Sequence, residues 1–84
     1  MMNDNWGYKP AFGPTLRRLR FESKKTIADL ADHLEVSEVY LSCVERSHLA
    51  PLSPCLISEL AELLGDDAES ILTAAAAREG SDDD

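Results

Sequence analysis

Eighty-four residues with a formal net charge of −8 leave room for one domain with a small core. Cys43 and Cys55 are too few for a disulfide scaffold or an unaided zinc site, and no apolar run approaches the roughly 20 residues that cross a bilayer. Leu, Ala and Glu are plentiful while aromatics and glycines are scarce, which favours an all-α chain over a sandwich or barrel.

In chain order, residues 1–12 read as a flexible N-terminal arm, although Trp6, Tyr8 and Phe12 could pin it to the domain or to a second subunit. The start MMNDNWGYKP lacks a basic stretch followed by an apolar segment, so no secretory signal is read and a cytoplasmic location is expected. The first helix is predicted to begin near Pro14, with proline at its favoured first position, and to end near Phe21 or Ser23. Thr26 is a good N-cap, and Asp29 stands where a capping box has Glu. Ile27, Leu30, Ala31 and Leu34 then recur at i, i+3, i+4 and i+7, one face of a second helix. Glu35 and Val36 form a turn. Ser37 caps a third helix, with Tyr40, Leu41 and Val44 facing inward. Two helices of this size joined by a short turn make a helix-turn-helix.

After a loop over residues 47–52, Ser53-Pro54 opens a fourth helix with an apolar stripe of Leu56, Ile57, Leu60, Ala61, Leu63 and Leu64. Gly65 ends it. Asp66 or Asp67 opens a fifth helix, in which Ile71, Leu72, Ala75 and Ala76 repeat and which Glu79-Gly80 terminates. The domain is therefore expected over residues 13–79, with a disordered acidic tail over 80–84. No nucleophile–base pair, phosphate loop or metal cluster is legible, so neither an enzyme nor a cofactor is expected. His33 reads as a surface residue, and His48 as a solvated loop residue.

Charge is unevenly spread. Residues 1–50 hold seven bases and seven acids, whereas residues 51–84 hold nine acids against Arg78 alone. The neutral part can face a phosphate backbone while the acidic part points away from it, at the cost of weak non-specific attraction.

Arg20, Leu30-Ala31, Val36-Ser37, Tyr40-Leu41-Ser42 and Glu45-Arg46, in this order and spacing, resemble the phage repressor and Cro-like (Xre-type) helix-turn-helix family from about Leu16 to Leu72. The resemblance implies a compact five-helix repressor-like DNA-binding domain whose third helix enters the major groove. It also implies a buried ion pair between Arg20 and Glu45. Three departures stand out. Glu35 replaces the usual turn glycine and suggests a looser turn. Ile27 replaces a frequent glutamine, and Ser47 follows Glu45-Arg46 where glycine is common.

On this resemblance Glu38, Val39, Ser42 and Cys43 face base edges. Glu38 could accept from a cytosine amino group, Val39 could pack on a thymine methyl, and Ser42 could pair with several edges. Candidate backbone contacts are Thr26, Ser37, Tyr40, Arg46, Ser47 and His48, with Arg17, Arg18, Lys24 and Lys25 as nearby charge. The expected function is a sequence-specific transcriptional regulator, a repressor, binding double-stranded DNA as a homodimer. The alternative is an interaction module or antitoxin-like partner that keeps the fold, binds DNA weakly or not at all, and docks a protein partner on its acidic C-terminal half.

Overall fold

A computed structural model describes residues 11–80, so the expectations for residues 1–10 of the arm and 81–84 of the tail lie outside the described residues. Within them the chain forms α1 (Phe12–Glu22), α2 (Ile27–Leu34), α3 (Glu38–Glu45), α4 (Pro54–Leu64) and α5 (Asp66–Gly80), and no strand is present among them. The fold is all-α. α1 packs on α3 and α5, α2 on α3 and α4, and α4 on α5.

The apolar periodicity places one core. Leu16, Leu30, Leu41, Leu60, Leu72 and Ala75 are fully buried, and at least one of them comes from every helix. α1 begins two residues before the expected Pro14, with Phe12 as its first residue and 1 % exposed. Phe12 therefore belongs to the core rather than to an arm. Pro14 remains harmless there, because the first four amides of a helix have no intrahelical partner to lose.

Caps set the entries. The Thr26 hydroxyl accepts from the Asp29 amide at 3.1 Å, and the Asp29 carboxylate accepts from the Thr26 amide at 2.9 Å, a complete capping box with Asp in place of Glu. Accepting the backbone N–H of Thr26, and then the hydrogen bond with its side chain, holds the Asp29 carboxyl below its ordinary value. Ser37 caps α3 through the Tyr40 amide, and Ser53 caps α4 through the Leu56 amide.

The exits share one device. At the end of α2, Val36 N–H donates to the Ala31 carbonyl and Glu35 N–H to that of Asp32, with Glu35 left-handed at φ 61°. These are the paired bonds of a Schellman motif. Lys24 (φ 59°) closes α1 in the same way, through Lys25 N–H to Arg20 O and Lys24 N–H to Phe21 O. Ser47 (φ 65°) closes α3, through His48 N–H to Cys43 O and Ser47 N–H to Val44 O. The turn at Glu35 is thus not looser than one built on glycine. Glu35 takes the left-handed conformation itself, and the two closing bonds offset its steric cost.

Glycine is required at Gly13 for a different reason. A Cβ there would collide with the Val44 and Glu45 backbone carbonyls, so the start of α1 rests directly on the end of α3. The positive end of one helix dipole thereby meets the negative end of another. Urea unfolding checks both features. Gly13→Ala should lose about 1–3 kcal/mol through overpacking against backbone that cannot yield. Glu35→Gly should gain about 1 kcal/mol by removing the left-handed penalty.

Candidate nucleic-acid interface

The helix-turn-helix is held from behind by one buried ion pair. Arg20 on α1 donates from Nε to Glu45 Oε2 at 2.7 Å and from Nη2 to Glu45 Oε1 at 3.0 Å, a bidentate fork on the last residue of α3. Its Nη1 donates to the Lys25 carbonyl at 3.2 Å, which fixes the link between α1 and α2. The Arg20 and Glu45 side chains are 10 % and 6 % exposed. The hydrogen bond to Glu45, and next the Glu45 charge, raise the Arg20 pKa against the opposing effect of burial, so the guanidinium stays charged. One side chain therefore ties α1, the entry to α2 and the end of α3.

The outward surface of α3 is apolar and acidic. Val39 is 73 % exposed, an uncommon setting for a β-branched apolar side chain, and Glu38 beside it is exposed. Cys43 and Tyr40 are half-buried, and Tyr40 packs against the core. Ser42 does not lie open on the surface. It lines a cleft of about 250 Å³ between α1, α2 and α3, together with Arg17, Arg20, Ile27, Glu45 and Arg46.

Among the described residues, neither Arg17 nor Arg46 has a carboxylate within ion-pair distance, whereas Arg18 pairs with Glu22 at 3.8 Å on the exposed face of α1. The remaining candidates border this face. Thr26, Ser47 and His48 are exposed, and Lys25 is half-buried with its carbonyl committed to Arg20. The Thr26 and Ser37 hydroxyls each accept from an amide, and that of Ser37 keeps an O–H to donate.

Two features escape a reading by residue type. Phe21 is 56 % exposed, with the Arg20 and Arg17 guanidinium carbons 4.8 and 5.2 Å from its ring centroid. The i, i+4 spacing of Arg17 and Phe21 was the available signal. His33, read as a surface residue, is half-buried. Its Nε2 lies 2.9 Å from the Glu59 carbonyl and 3.3 Å from Glu62 Oε1, a contact that links α2 to α4. Among the described residues no group of His, Cys, Asp and Glu could hold a metal ion.

A short turn, a capped outward helix and cationic flanks define a helix-turn-helix protein of the kind that suggests a DNA-binding regulator. A family model described as "Helix-turn-helix domain" matches residues 11–71, and the chain belongs to that family, consistent with the Xre-type resemblance of its motifs. Members are typically not enzymes. No curated protein and no solved structure matches the chain. No described helix is long and apolar enough to cross a membrane.

The buried pair has a sharp mutational signature. Arg20→Met should cost about 3–5 kcal/mol in urea unfolding, because it leaves the Glu45 carboxylate buried without a partner. The double variant Arg20→Met/Glu45→Leu should recover most of that loss, since two apolar groups need no partner.

Proposed function

We propose that the chain is a sequence-specific transcriptional regulator, a repressor, that binds double-stranded DNA as a homodimer with α3 in the major groove. The observation that carries this reading is the outward face of α3: Val39 is 73 % exposed, and Arg17 and Arg46 flank the helix without ion-pair partners among the described residues. Glu38 and Val39 then read base edges, with Ser42 and Cys43 beside them. Arg46, Arg17, Lys25, Thr26, Ser37, Tyr40, Ser47 and His48 hold phosphates and set the register. A two-fold dimer would place two copies of α3 about 34–36 Å apart, one turn of the duplex.

A second reading keeps the fold as a protein-interaction module. Glu59, Glu62, Asp66, Asp67 and Glu69 are all exposed on α4 and α5, a surface suited to a basic partner. Selection from randomised duplexes separates the two readings. The regulator enriches a two-fold symmetric site, while the module enriches none. On the enriched site, Val39→Ala should change base preference at one position per half-site. Arg46→Ala should weaken all sequences by a similar factor. With Arg17, Lys25 and Arg46 neutralising three phosphates per protomer, log K against log salt should fall with a slope of about −3 for each protomer. Equal losses on every sequence for both variants would contradict the assigned roles.

A further inference from the structure

We infer that the N-terminal arm seats on the outer face of α1, with the Trp6 ring in a shallow groove over Phe21. The groove measures about 300 Å³ and is lined by Pro14, Arg17, Arg18 and Phe21, with the buried Glu45 behind them. The four α1 residues follow one another at i, i+3, i+4 and i+7, and all four are exposed, so they make one stripe along the solvent side of the helix. Both Glu45 oxygens are taken by Arg20, so the charge at the rim comes from the arginines.

A lone exposed phenylalanine calls for no cover. Here a groove stands beside it, and the arm is the segment placed to fill that groove. The ten residues before Ala11 lead straight into α1. Ala11 is extended, at φ −71° and ψ 167°, so the chain leaves the helix axis there instead of continuing along it. The stripe from Pro14 to Phe21 spans about 10 Å. Trp6 stands five residues before Ala11, which is about 16 Å of extended chain. A chain folded back from Ala11 therefore brings Tyr8 to the Pro14 end of the stripe and Trp6 to the Arg17–Phe21 end. Among the described residues the large exposed apolar side chains are Phe21, Val39, Leu49 and Ile71, and of these only Phe21 is aromatic and only Phe21 is on α1.

The chemistry of arm and groove is complementary. Phe21 already carries the Arg20 and Arg17 guanidinium carbons at 4.8 and 5.2 Å from its ring centroid. An indole is the ring that cations hold best, and it packs well on a second aromatic. Asp4, the arm's one carboxylate, then runs over a cationic rim and not over the acidic faces of α4 and α5. Only the methylene stem of Arg17 lies under the arm, so its guanidinium stays open to a phosphate. Because arm and groove belong to one chain, the local concentration is on the order of millimolar and a weak contact suffices.

Trp6 is the chain's one tryptophan, so its fluorescence reports the arm alone. In the full chain acrylamide should quench it about threefold less than in a peptide of residues 1–10, because a seated ring loses most of its contact with water. The protection should hold over a roughly hundredfold range of concentration, as a tethered contact requires. Phe21→Ser should remove most of the protection and move the emission to longer wavelength, with the helical circular dichroism unchanged. Leu49→Ser, at an exposed apolar side chain in the loop after α3, should leave the protection intact.

Quenching equal to that of the peptide would overturn the inference and leave the groove to a separate partner. Protection that survives Phe21→Ser, or that is lost in Leu49→Ser, would overturn it by placing the arm elsewhere. Protection that appears only as concentration rises would assign the arm to a second copy and overturn the seat on its own chain. If Phe21→Ser fails to fold, nuclear Overhauser contacts in the wild-type chain decide. Contact between the Trp6 indole and Phe21 ring protons upholds the inference, and its absence overturns it.

Discussion

A charged side chain is tolerated inside a domain this small only if every demand it makes is met, and Arg20 meets its demands by reaching three elements at once. Its fork closes on Glu45 at the end of α3, and its remaining terminal nitrogen takes the Lys25 carbonyl. The backbone of the same residue accepts the Lys25 amide that completes the turn after α1. The orientation of α3 relative to α1 is thereby set by directional bonds, whereas apolar contacts alone would allow the helices to slide. Gly13 adds a second constraint at the same junction, because the backbones of α1 and α3 touch where a side chain would otherwise separate them.

That junction is what allows α3 to be so sparsely anchored elsewhere. α3 has eight residues, of which Leu41, Val44 and Glu45 are buried. An isolated helix of this length is not stable in water, so its shape is borrowed from its surroundings. Ser37 supplies its first turn, Ser47 its exit, and Arg20 holds its end. With those three attachments, Val39 and Glu38 can be left to solvent at no cost to the fold. An outward helix with fixed ends is the physical requirement for reading a rigid surface such as a DNA groove.

Much of the fold was legible in the residues, because the features that specify it are local and periodic. Leu30, Ala31 and Leu34 mark the buried side of α2 by spacing alone, and the Ser53-Pro54 pair announces α4 by its chemistry. The helix ends were harder to read. Lys24, Glu35 and Ser47 adopt the left-handed conformation that usually advertises itself as glycine, and the bonds that impose it, such as Val36 N–H to Ala31 O, join groups invisible to a reading by residue type. Phe12 was read as part of the arm because Pro10 and Gly13 interrupt a helix there, and its burial at 1 % exposure favours the alternative, an aromatic pinned to the domain.

The sequence by itself determined five helices, their apolar faces, the caps at Thr26, Ser37 and Ser53, and the separation of a neutral first part from an acidic second part. All of these depend on neighbours within a turn or two of helix, or on composition. Tertiary structure alone decided that Ser42, Arg17 and Arg46 share one cleft and that His33 spans from α2 to the Glu59 carbonyl. These groups lie on different helices or loops, or turn on exposure that periodicity does not report. The cleft depends on how α1 sits against α3, and that arrangement is fixed by a hydrogen-bonded pair twenty-five residues apart, Arg20 and Glu45.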